Sequence, residues 1–161
     1  MRFTQGELAR ARTETASSLA IALGAGETEM VVQAENLSGY VEHAAGNMPA
    51  ARDRFTRSVE GFRALSIPWG LGNSLNGLAR VAAAAGDLVE AEALLAEATS
   101  VLRHAGPWFL SLTLSVRATV VVRRGKPDEA LALARESLTY IRESMTSTRS
   151  RTRSPHSPTR R

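Results

Sequence analysis

The stretch Gly86-Asp87-Leu88-Val89-Glu90-Ala91 sets a glycine five residues before an alanine, and this framework recurs along the chain. It also begins at Gly6, Gly46 and Gly125, so that successive glycines lie 40, 40 and 39 residues apart. A fixed period of this length is typical of repeat architectures, in which each unit is one small element that stacks on its neighbours. The period therefore predicts a solenoid built from units of about forty residues.

Each unit reads as two helices joined by a tight turn. Gly86 tolerates the left-handed conformation that ends a helix, and Asp87 can cap the next one. Ala91, Leu95 and Ala98 belong to an i, i+3, i+4 stripe typical of an amphipathic helix. No strand is expected. The predicted helices lie near residues 7–23, 28–45, 49–65, 69–85, 88–105, 108–124 and 127–144.

Composition supports an all-α chain and argues against an enzyme. Alanine, the best helix former, fills 26 of 161 positions, and aromatic residues make up 5%. The chain has no cysteine, and His43, His104 and His156 lie far apart with no second ligand at helical spacing. No catalytic triad and no phosphate-binding loop is recognisable. We therefore expect a non-enzymatic protein with no cofactor and no metal.

The repeat resembles a known family. The residues that carry the resemblance are Leu75, Leu78, Ala79, Ala82, Gly86, Ala91, Leu95 and Ala98, which match the spacing of large and small positions in a tetratricopeptide unit. The resemblance implies a right-handed all-α superhelix that holds a protein or peptide. Two features depart from the pattern: the period is 39–40 rather than the usual 34, and Glu35 and Ala134 stand where large apolar residues are usual.

The longer period also looks like the repeat region of large bacterial ATPase-linked transcription regulators of the LuxR and antibiotic-regulator types. That resemblance implies a sensor or assembly arm, cut from or part of such a regulator. Two alternatives stay open. One is a free-standing protein that senses a peptide or effector, and the other is a nucleic-acid binder that acts through the basic C-terminal tail.

The predicted organisation is a half repeat at 1–26, repeats at about 27–66, 67–106 and 107–145, and a basic tail at 146–161. The first unit lacks its first helix, which suggests a piece of a longer array, although a lone helix could instead cap the stack. The tail has no apolar residue besides its prolines, so we expect it to be disordered.

The tail also carries the charge. It holds five arginines and no acid, and without them 15 basic residues face 16 acidic ones. A nucleic-acid partner is therefore expected only through the tail. No export signal and no apolar run of spanning length is visible in the sequence, so we expect a cytoplasmic protein with no membrane contact.

The resemblance also implies where a ligand binds, because first helices line the concave face of tetratricopeptide arrays. The outward positions of the three first helices carry polar side chains that could bond a peptide backbone or pair with acids. We expect them to face solvent, in a groove with few large apolar residues. They are Gln33, Asn36, Tyr40, His43, Asn73, Asn76, Arg80, Ser115, Thr119 and Arg123.

Overall fold

A computed structural model describes residues 4–103 and 105–151. Within these residues the chain forms seven helices and no strand, which confirms the predicted all-α fold. The helices are α1 Gln5–Ala25, α2 Thr28–Ala44, α3 Met48–Ala64, α4 Pro68–Ala85, α5 Leu88–Leu102, α6 Pro107–Arg123 and α7 Pro127–Arg151. Every helix packs against the next one along the chain, and the first helices α2, α4 and α6 also touch in sequence.

The glycines of the repeat end the first helix of each pair. Gly46, Gly86 and Gly125 adopt φ values of 79°, 88° and 76°, a left-handed conformation that costs a glycine little. After the second glycine the Asp87 side chain accepts a hydrogen bond from the Glu90 amide at 2.9 Å and starts α5. Gly6 differs, because it lies inside the first turn of α1, where Thr4 and Glu7 form a capping box.

A second series of left-handed turns lies between the units, also at intervals of 40 residues. Gly26 and Gly106 adopt positive φ values there, and between them Ser66 does so with a φ of 55°. A residue with a Cβ atom pays a steric cost in this conformation that glycine does not. Ser66 is therefore a strained position in an otherwise regular frame.

Small residues let the helices come close together. Ala51, Ala91 and Ala130 occupy the same place in three successive units and are all buried. On α4, a Cβ atom at Gly77 would overlap the Phe55 ring of the preceding unit, and one at Gly72 would overlap Leu102. The large side chains of one helix thus fill the space that small residues of its neighbour leave.

Polar groups inside the stack are paired. The Ser58 hydroxyl donates to the Val32 carbonyl at 3.2 Å, and Ser137 donates to the Ser111 carbonyl at 2.8 Å in the equivalent place. Glu35, unexpected at a position that is usually apolar, is buried between α2 and α3 and bonds the Arg54 guanidinium at 2.8 Å. Pairing with a cation is what makes a buried carboxylate tolerable.

The last helix is longer than predicted. We expected it to end near residue 144 and a disordered tail to begin at 146, but α7 continues to Arg151. A helix that has already formed adds each further residue at little cost, and the first proline beyond Pro127 is Pro155. The expected disorder is therefore wrong for residues 146–151, and residues 152–161 lie outside the described part of the chain.

The strain at Ser66 gives a first prediction. Ser66→Gly should raise the free energy of unfolding by about 0.5–1 kcal/mol, because relief of about 1–2 kcal/mol of left-handed strain exceeds the added flexibility of the unfolded chain. Urea denaturation would measure the change.

The matched control is Gly86→Ser, which introduces the same strain at the equivalent kind of turn. It should lower the free energy of unfolding by about 1–2 kcal/mol. If both substitutions changed stability in the same direction, the conformation assigned to these turns would be wrong.

Candidate functional site

The first helices α2, α4 and α6 share one face, and that face carries two cavities. We name them the Arg80 cavity, with a volume of about 460 Å³, and the Tyr40 cavity, with about 330 Å³. Of the predicted site residues, the Arg80 cavity is lined by His43, Arg80, Ser115, Thr119 and Arg123. The Tyr40 cavity is lined by Gln33, Asn36, Tyr40 and Asn73.

The Arg80 cavity combines two arginines with an apolar wall. The wall consists of Ala83, Ala84, Val116 and Val120. The Arg123 guanidinium donates to the Ala83 carbonyl at 2.9 Å, and this bond links α6 to α4. Arg80 is exposed on α4, from which it reaches the same cavity. A cavity with a low-polarity wall and two cations is suited to hold an anionic group.

Most arginines elsewhere in the described chain are neutralised by carboxylates. The pairs join Arg12 to Glu42, Arg52 to Glu90, Arg54 to Glu35, Arg63 to Glu97 and Arg124 to Glu92. Within residues 4–103 and 105–151, by contrast, no carboxylate lies within ion-pair distance of Arg80 or Arg123. The positive charge of this cavity is therefore uncompensated by its own chain.

Arg80 also influences two titratable side chains near it. Burial lowers the pKa of His43, and the positive charge of Arg80 lowers that pKa further. Burial raises the pKa of Tyr40 to about 12, against the opposing effect of Arg80. At neutral pH both side chains are therefore uncharged, so the arginines alone set the charge of the face.

The Tyr40 cavity has more apolar surface than the sequence suggested. Its wall includes Met30, Leu37, Phe62 and Trp69, none of which we had predicted as site residues. Met30 and Leu37 are exposed large side chains on α2. Leu37 lies one helical turn after Gln33, so helical spacing alone could have placed it on this face. The expectation of a groove with few large apolar residues is wrong at this end.

Two of the predicted residues do not face solvent. Asn36 is 5% exposed and Asn76 is 8% exposed, and the Asn76 amide nitrogen donates to the Thr113 hydroxyl at 2.7 Å. The reason is that successive first helices touch, so positions 40 residues apart lie at the contact between helices rather than in an open groove. Both side-chain oxygens are buried without a hydrogen-bond partner.

Tyr40 and Asn73 also join neighbouring first helices. The Tyr40 hydroxyl lies 2.9 Å from the Asn73 carbonyl and 3.0 Å from its side-chain oxygen, and it donates its one hydrogen between them. Its ring packs edge-on against Phe55 at 4.9 Å between centroids. The exposed members of the predicted set are thus Gln33, Arg80, Ser115, Thr119 and Arg123.

The tryptophans, which we expected to pack between units, behave differently from each other. Trp69 lies between Phe62 and Phe109, at 5.6 and 6.1 Å between ring centroids. Trp108 is exposed. Trp69 therefore has the predicted packing role as well as a place in the cavity wall.

No group of three or more histidine or acidic side chains in the described part of the chain is placed to hold a metal ion. Across the same residues, no helix combines the length and the apolar character needed to cross a membrane.

Comparison with known proteins identifies the class. The profile of the tetratricopeptide repeat family matches residues 30–104 and 70–143, which together make up more than half of the chain. The chain belongs to the tetratricopeptide repeat family, whose repeats generally mediate protein–protein interactions and typically serve as non-enzymatic scaffolds.

A solved structure supports the same fold. The crystal structure of BtubC (BKLC) from P. vanneervenii is similar over 97% of this chain, with a TM-score of 0.73 and 19% sequence identity. At that identity the similarity concerns the fold alone. The chain spans 62% of the length of that protein. No curated protein matches the sequence.

The lowered pKa of His43 gives a second prediction. A folded state that disfavours protonated histidine is stabilised above the ordinary histidine pKa of about 6.5 and loses that contribution as pH falls through the folded pKa. Wild-type stability should therefore fall between about pH 7.5 and pH 5 more steeply than that of His43→Gln.

Urea denaturation at both pH values would measure the difference, which should stay below about 1 kcal/mol because His43 is partly exposed. Other titrating groups affect both proteins alike and cancel in the comparison. Identical pH profiles would show that His43 is not in the predicted environment.

Proposed function

We propose that this protein binds an extended peptide segment of a partner protein on its first-helix face. An acidic side chain or terminal carboxylate of the segment enters the Arg80 cavity, and an apolar side chain enters the Tyr40 cavity. The observation that carries the proposal is the uncompensated charge of Arg80 and Arg123, in a chain that pairs most of its other arginines.

The charge pattern supports a site rather than a merely solvated surface. Arg52 and Arg63 on second helices each bond a glutamate of the following unit at 2.6–2.8 Å. Arg80 and Arg123 stand on first helices, where the chain supplies no such acid. An acid from a partner would complete them, and two cations beside an apolar wall would hold it better than either alone.

The two cavities set the spacing of the ligand. Asn73 lines the Tyr40 cavity and Arg80 lines the Arg80 cavity, seven residues apart on α4. Seven residues of helix rise about 10 Å, and an extended peptide covers that distance in about three residues. The expected ligand motif therefore has a large apolar residue followed three positions later by an acid.

The buried asparagines suggest that the face holds its shape before the ligand arrives. Asn76 is bonded to Thr113, and Tyr40 is bonded to Asn73, so successive first helices are tied together on both sides of Arg80. A face whose helices are already fixed spends little free energy on rearrangement when it binds.

In the wider setting, we propose that this binding serves the sensor or assembly arm of a bacterial transcription regulator. Support for this comes from the 39–40 residue period and from the phrase between Ala51 and Ala98 that resembles such repeat regions. A free-standing peptide sensor would use the same face. Co-purification with a nucleotide-binding or DNA-binding polypeptide would favour the regulator, and binding of the peptide motif without any such partner would favour the sensor.

The test uses a library of immobilised peptides with a fixed Leu-x-x-Glu motif, whose best members are then titrated by fluorescence polarisation. The double substitution Arg80→Gln with Arg123→Gln should lower affinity at least tenfold, as should replacement of the peptide glutamate by glutamine. The affinity of the wild type should also fall as salt rises, because these charges are partly exposed.

The control is Arg10→Gln with Arg63→Gln, which removes two positive charges far from both cavities. It should bind like the wild type, with both double variants melting within a few degrees of it, since all but the Arg123 bond to Ala83 lie on the surface. Equal binding of glutamate and glutamine peptides by the wild type would contradict the proposal.

A further inference from the structure

The last helix leaves a row of large apolar side chains uncovered. Leu131, Leu138 and Met145 are 51%, 53% and 68% exposed, at intervals of seven residues on one side of α7. Ala134 and Ile141 lie between them and are half-buried. Residues at i, i+3 and i+7 share one side of a helix, so these five form a continuous stripe. We call it the α7 stripe.

The stripe occupies the register that earlier units bury. Leu138 corresponds to Thr99 and Val59 in the two preceding second helices, where the exposed fractions are 3% and 6%. Val59 packs against Leu75 and Ala98 of the following unit.

The same holds one turn earlier in each second helix. Ala134 corresponds to Leu95 and Phe55, which are both buried; Phe55 packs against Leu78 and Val81, and Leu95 against Val120. The α7 stripe is thus the surface against which a further unit would pack.

An arginine marks the edge of this surface in every unit. Arg63 bonds Glu97 of the next second helix at 2.6 Å, and Arg103 lies 3.8 Å from Glu136 of the helix after that. The next member of this series, 39 residues on, is Arg142. Each earlier arginine thus marks where a glutamate of the covering unit comes to lie.

The rest of α7 adds to the same polarity. Arg135, one turn from Leu131, is exposed, and no carboxylate of the described chain lies within ion-pair distance of it. The acids Glu129 and Glu136 lie on the other edge of α7 and already face Arg117, Lys126 and Arg103. The stripe therefore has a basic edge on its solvent side.

We infer that the α7 stripe docks an amphipathic helix pair with an acidic edge, supplied by a partner polypeptide and arranged as a following repeat unit. Its apolar face covers Leu131, Leu138 and Met145, and a glutamate on its second helix meets Arg142. This surface is separate from the first-helix face, so the inference does not depend on the proposed function.

Charge argues against a second copy of this chain as the occupant. An antiparallel pair of α7 helices centred on Leu138 would set Arg135 of one copy close to Arg142 of the other. Like charges at that distance repel, and the basic edge instead favours a partner with acids.

The probe for the test is a synthetic peptide of residues 67–103, the α4–α5 unit, which covers the equivalent surface of α3 within the chain and carries Glu97. Isothermal titration of the full-length protein with this peptide should show one binding site. Leu138→Lys and, separately, Leu131→Lys should each weaken binding at least tenfold. Both side chains are exposed, so the melting temperature should stay within a few degrees.

A charge exchange tests the register. Arg142→Glu should weaken binding of the probe, and a probe with Glu97→Lys should restore it to within about threefold of the original affinity. The Arg80→Gln, Arg123→Gln protein should bind the probe like the wild type, which separates this inference from the proposed function.

Three results would overturn the inference: no binding of the probe at millimolar concentration, binding that Leu138→Lys leaves unchanged, or a wild-type dimer in sedimentation that Leu138→Lys converts to monomer. The last result would assign the stripe to self-association.

Discussion

The structure depends on how closely its helices approach one another. Ala51, Ala91 and Ala130 are buried at the same place in three units, and Gly77 leaves room for the Phe55 ring of the unit before it. A larger side chain at any of these contacts would push the helices apart and expose the apolar clusters between them. Because the same contact recurs every 39–40 residues, the position of every other side chain, including those of both cavities, follows from it.

The repeat made the fold readable, since the turn glycines, the buried alanines and the helix bounds before α7 follow from local chemistry at a fixed period. The site was less predictable. Helical spacing placed Arg80 and Arg123 on one face, but it could not show that contact between first helices buries Asn76. Nor could it show that Arg54 compensates Glu35, because that pairing depends on how two helices pack rather than on spacing along either one.

Charge is distributed so that fold and binding use different arginines. Those on second helices, such as Arg52 and Arg63, bond glutamates of the next unit and hold successive units in register. Those on first helices, Arg80 and Arg123, meet no acid of the described chain. Exposed ion pairs contribute little stability each, so the regular pairing matters more for alignment than for the free energy of folding. The unpaired arginines leave one face of a nearly neutral body positively charged.

The most direct measurement of the central claim is a map of backbone amide chemical shifts while the labelled protein is titrated with an acidic Leu-x-x-Glu peptide. The account predicts that the shifts concentrate on the first helices, at residues 37–43, 80–84 and 115–123, and saturate together as one binding event. Shifts confined to the second helices α3, α5 and α7, with none at Arg80 or Arg123, would contradict it.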